Sequence, residues 1–185
     1  MIESIKTYTG NKVISREEVP HDTLRHLIAL KAKEVFGISC IALQEVHAEA
    51  GTRRADLVLI TEMPFPYVRI VEVKTKAEDV WKAFEQLLWF KDRGLANFYF
   101  VALPKEEHDK YLHSYDNFYE KNIGLIVIDV KPTFKGLEAD VEVRVKPEFE
   151  IRKRDWEELY RELEKQGKHK LAGRLRKSVG RTPVG

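Results

Sequence analysis

Between Val68 and Lys74 the chain reads VRIVEVK, and in a β-strand, where side chains alternate with a period of two, Val68, Ile70, Glu72 and Lys74 share one face. Two apolar residues therefore lead into a carboxylate and an ammonium. Burying either charge alone is costly, so the two must neutralise each other or bind something. The preceding run, ADLVLI, puts a second carboxylate, Asp56, on a face with Val58 and Ile60. Two neighbouring strands can aim Asp56 and Glu72 at one point. Converging carboxylates, joined by a backbone carbonyl such as that of Val73, make an oxygen-rich site suited to magnesium, or to manganese, with waters left for a substrate. Phosphodiester hydrolysis needs a nucleophilic water, a polarised phosphate and stabilisation of the leaving oxygen, and a metal with Lys74 beside it supplies all three.

Each residue also has a plainer reading. Taken alone, Asp56 reads as a turn-closing or capping carboxylate. Glu72 and Lys74 can be a solvated cross-strand ion pair, although their apolar flanks argue against an exposed edge strand.

The elements around these residues follow from periodicity. Leu24, Leu27, Ile28, Ala32, Val35 and Phe36 fall at helical spacing, predicting a helix over 22–36 that stops at Gly37. CIALQEVHAEAG and RRADLVLITE read as a hairpin turning around Gly51, and two prolines mark a turn over 63–66. After the VRIVEVK strand, Thr75 and Glu78 match a capping box opening a helix that runs to Arg93 and closes at Gly94, with Val80, Trp81, Phe84, Leu87 and Leu88 inward. NFYFVAL is a strand, 105–121 a helix, GLIVIDV a strand and 140–145 a last strand. A helix from Asp155 carries Trp156, Leu159, Tyr160 and Leu163 on one face. Alternation of strands and helices predicts an α/β fold with a mixed central sheet flanked by helices.

With 185 residues, 43% apolar and 34% charged, the chain suffices for one domain with a sizeable core. Lys and Arg number 32 against 30 Asp and Glu, a net charge of +2, so only the distribution of charge can point to a partner. The single cysteine, Cys40, excludes an internal disulfide framework and a cysteine-based zinc site; it fits a reducing compartment and reads as a small buried hydrophobe at a strand start. His21, His26, His47, His108, His113 and His169 show no metal-ligand spacing and are expected at the surface or satisfied in the core. The N-terminus lacks the apolar stretch of a signal peptide, and no apolar run approaches the roughly 18 residues that cross a bilayer. A cytoplasmic protein without a membrane partner is expected. Abundant Glu and Lys with few Gln and Asn is a composition common in proteins from hot environments.

Asp56, fifteen intervening residues and then Glu72-Val73-Lys74, set in the order helix, hairpin, strand, helix, strand, resembles the PD-(D/E)XK nuclease superfamily, which includes restriction enzymes and archaeal Holliday junction resolvases. The similarity covers residues 22–104. It implies a restriction-endonuclease-like αβββαβ core within residues 1–150 and leaves 151–185 as a basic C-terminal helical extension. It further implies that Asp56, Glu72 and the Val73 carbonyl hold magnesium or manganese, while Lys74 orients water or stabilises charge. Members commonly carry a glutamine on the following helix, which Gln86 matches and which would add it to the catalytic set, although that residue can also be a solvated neighbour of Lys82 and Trp89. A further acid upstream that joins the metal site is typical, with Glu34, Glu45 and Glu49 as candidates and Glu45 favoured as the ligand by the resemblance. Ala55 stands where the motif name has proline. Arg53-Arg54-Ala55-Asp56 is similar to a run found in small DNA-repair-associated members.

The function implied is a metal-dependent DNA endonuclease acting in repair, recombination or restriction, with no organic cofactor. A non-catalytic nucleic-acid-binding module of the same fold, or an RNA-directed nuclease, uses the same residue pattern. Arg53, Arg54 and Lys82 are expected to meet nucleic acid. Seven Lys or Arg and no acid lie between Lys165 and Arg181, with Leu171, Leu175 and Val179 spaced by four. This is either a basic amphipathic helix that presents Lys170, Arg174 and Lys177 to DNA, or a solvated tail balancing Glu157, Glu158, Glu162 and Glu164. Trp81 and Trp156 are expected in the core, and Trp89 is a candidate for base stacking. Many members of the superfamily dimerise to cut both strands, so Tyr111, Tyr115 and Tyr119, spaced by four, are candidates for a homodimer interface or for inward packing.

Overall fold

Six runs rich in Val, Ile and Leu become the strands of one mixed sheet, in the order β3-β4-β5-β6-β7-β8. They are β3 (Cys40–Ala48), β4 (Arg53–Thr61), β5 (Tyr67–Val73), β6 (Phe98–Pro104), β7 (Gly124–Thr133) and β8 (Gly136–Val145). The computed structural model describes residues 19–183 and the backbone of β1 (Ser4–Lys6) and β2 (Val13–Ser15), which pair antiparallel. In the large sheet β5, β6 and β7 run parallel, and the other pairs are antiparallel. The parallel step from β5 to β6 requires a crossover, which α2 (Val80–Arg93) provides.

Both faces of the sheet are covered. On one, α1 (His21–Phe36) sets Leu24, Leu27, Ile28 and Ala32 against Leu57, Leu59, Val71 and Phe100. On the other, α2 lays Val80, Ala83, Phe84, Leu87 and Phe90 over Val58, Ile60, Val68 and Ile70. Continuous apolar runs in β4, β5 and β6 are what two-sided burial demands. Cys40 is buried at the start of β3, as expected.

Four sequence expectations need correction. No capping box forms at Thr75: a 3-10 turn at Ala77–Asp79 precedes α2, which begins at Val80 without a side-chain cap. The Ala77 N–H is instead met by the Glu107 carboxylate at 3.0 Å, a tertiary partner that sequence spacing cannot reveal. Trp81 is 56% exposed, because one residue past Val80 the helix has turned about 100° away from the core. The helix expected over 105–121 is two helices, α3 (Lys105–Tyr111) and α4 (Asp116–Lys121). The break resets helical phase, so Tyr111 and Tyr119 are exposed while the Tyr115 hydroxyl bonds His108 Nε2 at 2.6 Å, and the three tyrosines form no common stripe. Finally, β8 starts at Gly136 rather than near Asp140; it is an edge strand whose exposed charges hid its beginning.

The C-terminal helices α5 (Glu157–Lys165) and α6 (His169–Ser178) complete the α2-side core with Trp156, Leu159, Tyr160, Leu163, Leu171 and Leu175. Arg152, 1% exposed, joins them to the rest: its guanidinium donates to the Leu95 and Leu175 carbonyls, Ser178 Oγ and the Tyr160 hydroxyl. Gly94 ends α2 in the left-handed region at φ 62°, and a Cβ there would lie 2.6 Å from Lys153 Cβ. Gly94→Ala is expected to cost about 1–2 kcal/mol, read by chemical denaturation; an unchanged midpoint would refute this account of the turn. Among the described residues, no helix is long and apolar enough to cross a membrane.

Candidate functional site

The β4–β5 ladder pairs Leu57 with Val71 and ends there, leaving Asp56 and Glu72 facing each other where the strands part. The amides just past the ladder are taken up crosswise by these two carboxylates. The Asp56 N–H donates to Glu72 Oε1 at 3.3 Å, and the Val73 N–H donates to Asp56 Oδ2 at 3.0 Å. Side-chain alternation also breaks here: Ala55 and Val58 face the α2-side core, Leu57 and Leu59 the α1 side. On the neighbouring strand Glu45, flanked by the pairs Gln44–Leu57 and Val46–Ala55, lies across from Asp56 with a left-handed φ of 56°.

Glu72 is 1% exposed; its buried Oε2 meets no donor among the described residues, and its carboxyl lies in hydrogen-bonding reach of the Asp56 carboxylate. Burial, and then the neighbouring Asp56 charge, push its carboxyl well above the usual glutamate range, with Lys74 pulling the other way. Asp56 is also raised by burial, but hydrogen bonds from His21 and the Val73 amide outweigh this and leave it below the ordinary aspartate range. Two carboxyls with divergent proton affinities are a recurrent mark of functional sites.

His21 is the member that sequence spacing missed. It opens α1 and sets Nε2 3.1 Å from Asp56 Oδ2, which, opposed by partial burial, raises its proton affinity. Only docking of the helix end against β4 brings residues 35 apart in sequence together. Arg25, one turn on and 8% exposed, donates from Nε to Gln44 Oε1 at 2.8 Å and from Nη1 to Glu45 Oε1 at 3.2 Å.

The other expected site residues are distributed as follows. Lys74 lies one residue past β5, half-buried, near enough to Glu72 for its charge to act on it. Gln86 Nε2 donates to the Arg54 carbonyl at 3.4 Å, which ties α2 to the strand bearing Asp56. Glu45 is held by Arg25 and by Arg54, each at 3.2 Å. Glu34 pairs with Lys31 on α1, and Glu49 with Arg93. Arg53 and Arg54 are exposed at the start of β4, Arg53 lying 5.6 Å from the Trp89 ring, while Lys82 pairs with Asp79. Trp89 is half-buried under Arg93, 3.7 Å from its ring.

Lys170 and Lys177 are exposed on α6, but Arg174 is tied to the Glu62 and Pro64 carbonyls. Those carbonyls follow the far end of β4, six residues or more and roughly 20 Å along the strand from Asp56. Arg176 pairs with Glu157 and Glu164, so part of the basic stretch does balance the acidic one.

A divalent cation fits the carboxyl pair. Glu72 Oε2, which meets no donor among the described residues, and the ionised Asp56 carboxylate beside it are oxygens of the kind a hard divalent cation takes. Among the described residues, no cluster of three or more His, Cys, Asp or Glu has metal-ligand geometry.

The fold is similar to that of a protein of unknown function from Silicibacter pomeroyi, with 16% identity, 85% of this chain and 90% of that chain covered, and a TM-score of 0.53. That likeness shows a shared mixed α/β fold. No protein-family model matches the chain, and no curated protein does.

Proposed function

We propose that the chain is a metal-dependent nuclease of the restriction-endonuclease-like type, hydrolysing DNA phosphodiester bonds at Asp56, Glu72 and Lys74. The observation that carries this reading is the buried Glu72 carboxyl, whose Oε2 meets no donor among the described residues, beside an ionised Asp56 at the open end of the β4–β5 ladder. Asp56, Glu72 and the Val73 carbonyl would hold magnesium or manganese. The metal, when bound, would polarise the scissile phosphate and lower the pKa of a water. Lys74 stabilises the charge that develops on the phosphate. His21 positions Asp56 through Nε2 and fixes which oxygen faces outward. Gln86, bonded to the Arg54 carbonyl, keeps α2 in register with the strand that carries Asp56. Arg53, Arg54 and Lys82 are placed to meet the nucleic-acid backbone.

The test is cleavage of end-labelled single-stranded, duplex and four-way-junction DNA with magnesium, manganese or EDTA. Cutting that requires the metal and disappears in Asp56→Ala is expected. Binding without cutting by the wild type would instead identify a non-catalytic module.

A further inference from the structure

We propose that Arg25 and Arg54 form a phosphate-binding pair next to the Asp56–Glu72 centre, which Glu45 occupies until a nucleic-acid backbone displaces it. The inference rests on the nuclease reading above and assigns Glu45 a gating role in place of the metal-ligand role its resemblance implied.

Two guanidiniums converge on one oxygen, Glu45 Oε1, at 3.2 Å each. Paired guanidiniums around a single acceptor are a phosphate-recognition arrangement, and a phosphate offers them more charge and more lone pairs than a carboxylate. Arg25 is already in position, held by Gln44 Oε1 at 2.8 Å and by Asp22 at 3.3 Å, with its side chain only 10% exposed. Arg54 is half-exposed, and its bond to Glu45 is its salt bridge among the described residues.

The occupant is poorly retained. Its pair with Arg54 is open to water, with side chains 51% and 43% exposed, and such pairs contribute little, while Arg25 keeps Asp22 as a partner when Glu45 leaves. Its backbone sits at φ 56°, a strained conformation for glutamate. A carboxylate facing two guanidiniums is also already neutralised, which leaves it little attraction for a further cation. Glu45 lies across the ladder from Asp56, and Arg54 is two residues from Asp56, so a phosphate on this pair would neighbour the reactive one.

The test is fluorescence anisotropy of a labelled DNA oligonucleotide in EDTA, so that cutting plays no part. Glu45→Gln is expected to bind about threefold to fivefold tighter than wild type, and the gain should vanish in an Arg54→Ala background. Glu49→Gln, which removes the same charge from the same hairpin, should give a smaller gain. Glu45→Gly, which accepts the left-handed backbone, should reproduce the tighter binding and so exclude a folding artefact. Unchanged or weaker binding by both Glu45 variants, an equal gain from Glu49→Gln, or a gain that survives Arg54→Ala would each overturn the proposal. Failure of the nuclease reading is separate: it appears as absent metal-dependent cutting with these affinities intact.

Discussion

Glu72→Gln is expected to raise the thermal midpoint of the metal-free protein as pH rises through the raised Glu72 value, while abolishing metal-dependent cutting. The wild type buries a carboxyl at 1% exposure beside Asp56, with Oε2 meeting no donor among the described residues. Glutamine keeps an acceptor for the Asp56 N–H, cannot ionise as pH rises and offers an N–H₂ donor toward the Asp56 carboxylate. Where the wild type must bury that carboxylate ionised, its removal stabilises by about 1–3 kcal/mol, or roughly 3–10 °C for a chain of this size.

The effect depends on pH with a definite sign. Because Glu72 in the fold keeps its proton above the ordinary glutamate range, the native state binds more protons than the unfolded chain there. Stability contributed by Glu72 is therefore full below that range and lost as pH rises through its raised value. Asp56, lowered, acts oppositely: its contribution is present above the ordinary aspartate range and lost as pH falls through its folded value. His21, raised by Asp56, contributes below its ordinary range and loses that contribution as pH rises through its folded value. Glu72→Gln should flatten only the alkaline-going loss attributable to Glu72, and magnesium should raise the midpoint of the wild type but not of the variant. A lower midpoint for Glu72→Gln across that whole range would show that the carboxylate is structurally satisfied rather than held for a cation.

Lys74→Ala is expected to lower the cutting rate by about a hundredfold to a thousandfold, the usual cost of removing one preorganised charge from a phosphoryl-transfer site. Its affinity for uncut DNA in EDTA should fall far less, because the ammonium acts mainly on charge that appears in the transition state. Lys74→Arg should recover only part of the rate, since a planar, delocalised guanidinium spreads its charge where the ammonium concentrates it. Equal losses in binding and in cutting would reassign Lys74 to ground-state phosphate contact.

Much of the site was legible before the fold. The period-two faces of VRIVEVK and ADLVLI identified Asp56 and Glu72 as charges in apolar company, and the structure places both at the same end of adjacent strands. Helix α2 was anticipated through its apolar spacing and its stop at Gly94, because local patterning and a left-handed terminator act within a few residues. At the start of the same helix Thr75 and Glu78 satisfy a capping pattern, yet Glu107 from α3 takes the Ala77 amide instead. Hydrophobicity alone places Trp81 inward, but it cannot distinguish positions one residue apart around a helix, and the side chain is exposed.

By itself the sequence determined an α/β chain with buried, two-sided strands and a carboxylate pair followed by a lysine, since those depend on residue type and on periods of two and 3.6. Tertiary structure alone decided that His21 reaches Asp56, that Arg25 and Arg54 meet on Glu45, and that Arg152 joins the C-terminal helices to the core. Each of these joins residues from separate elements, and their distances are set by how the helices dock on the sheet rather than by any local preference of the chain.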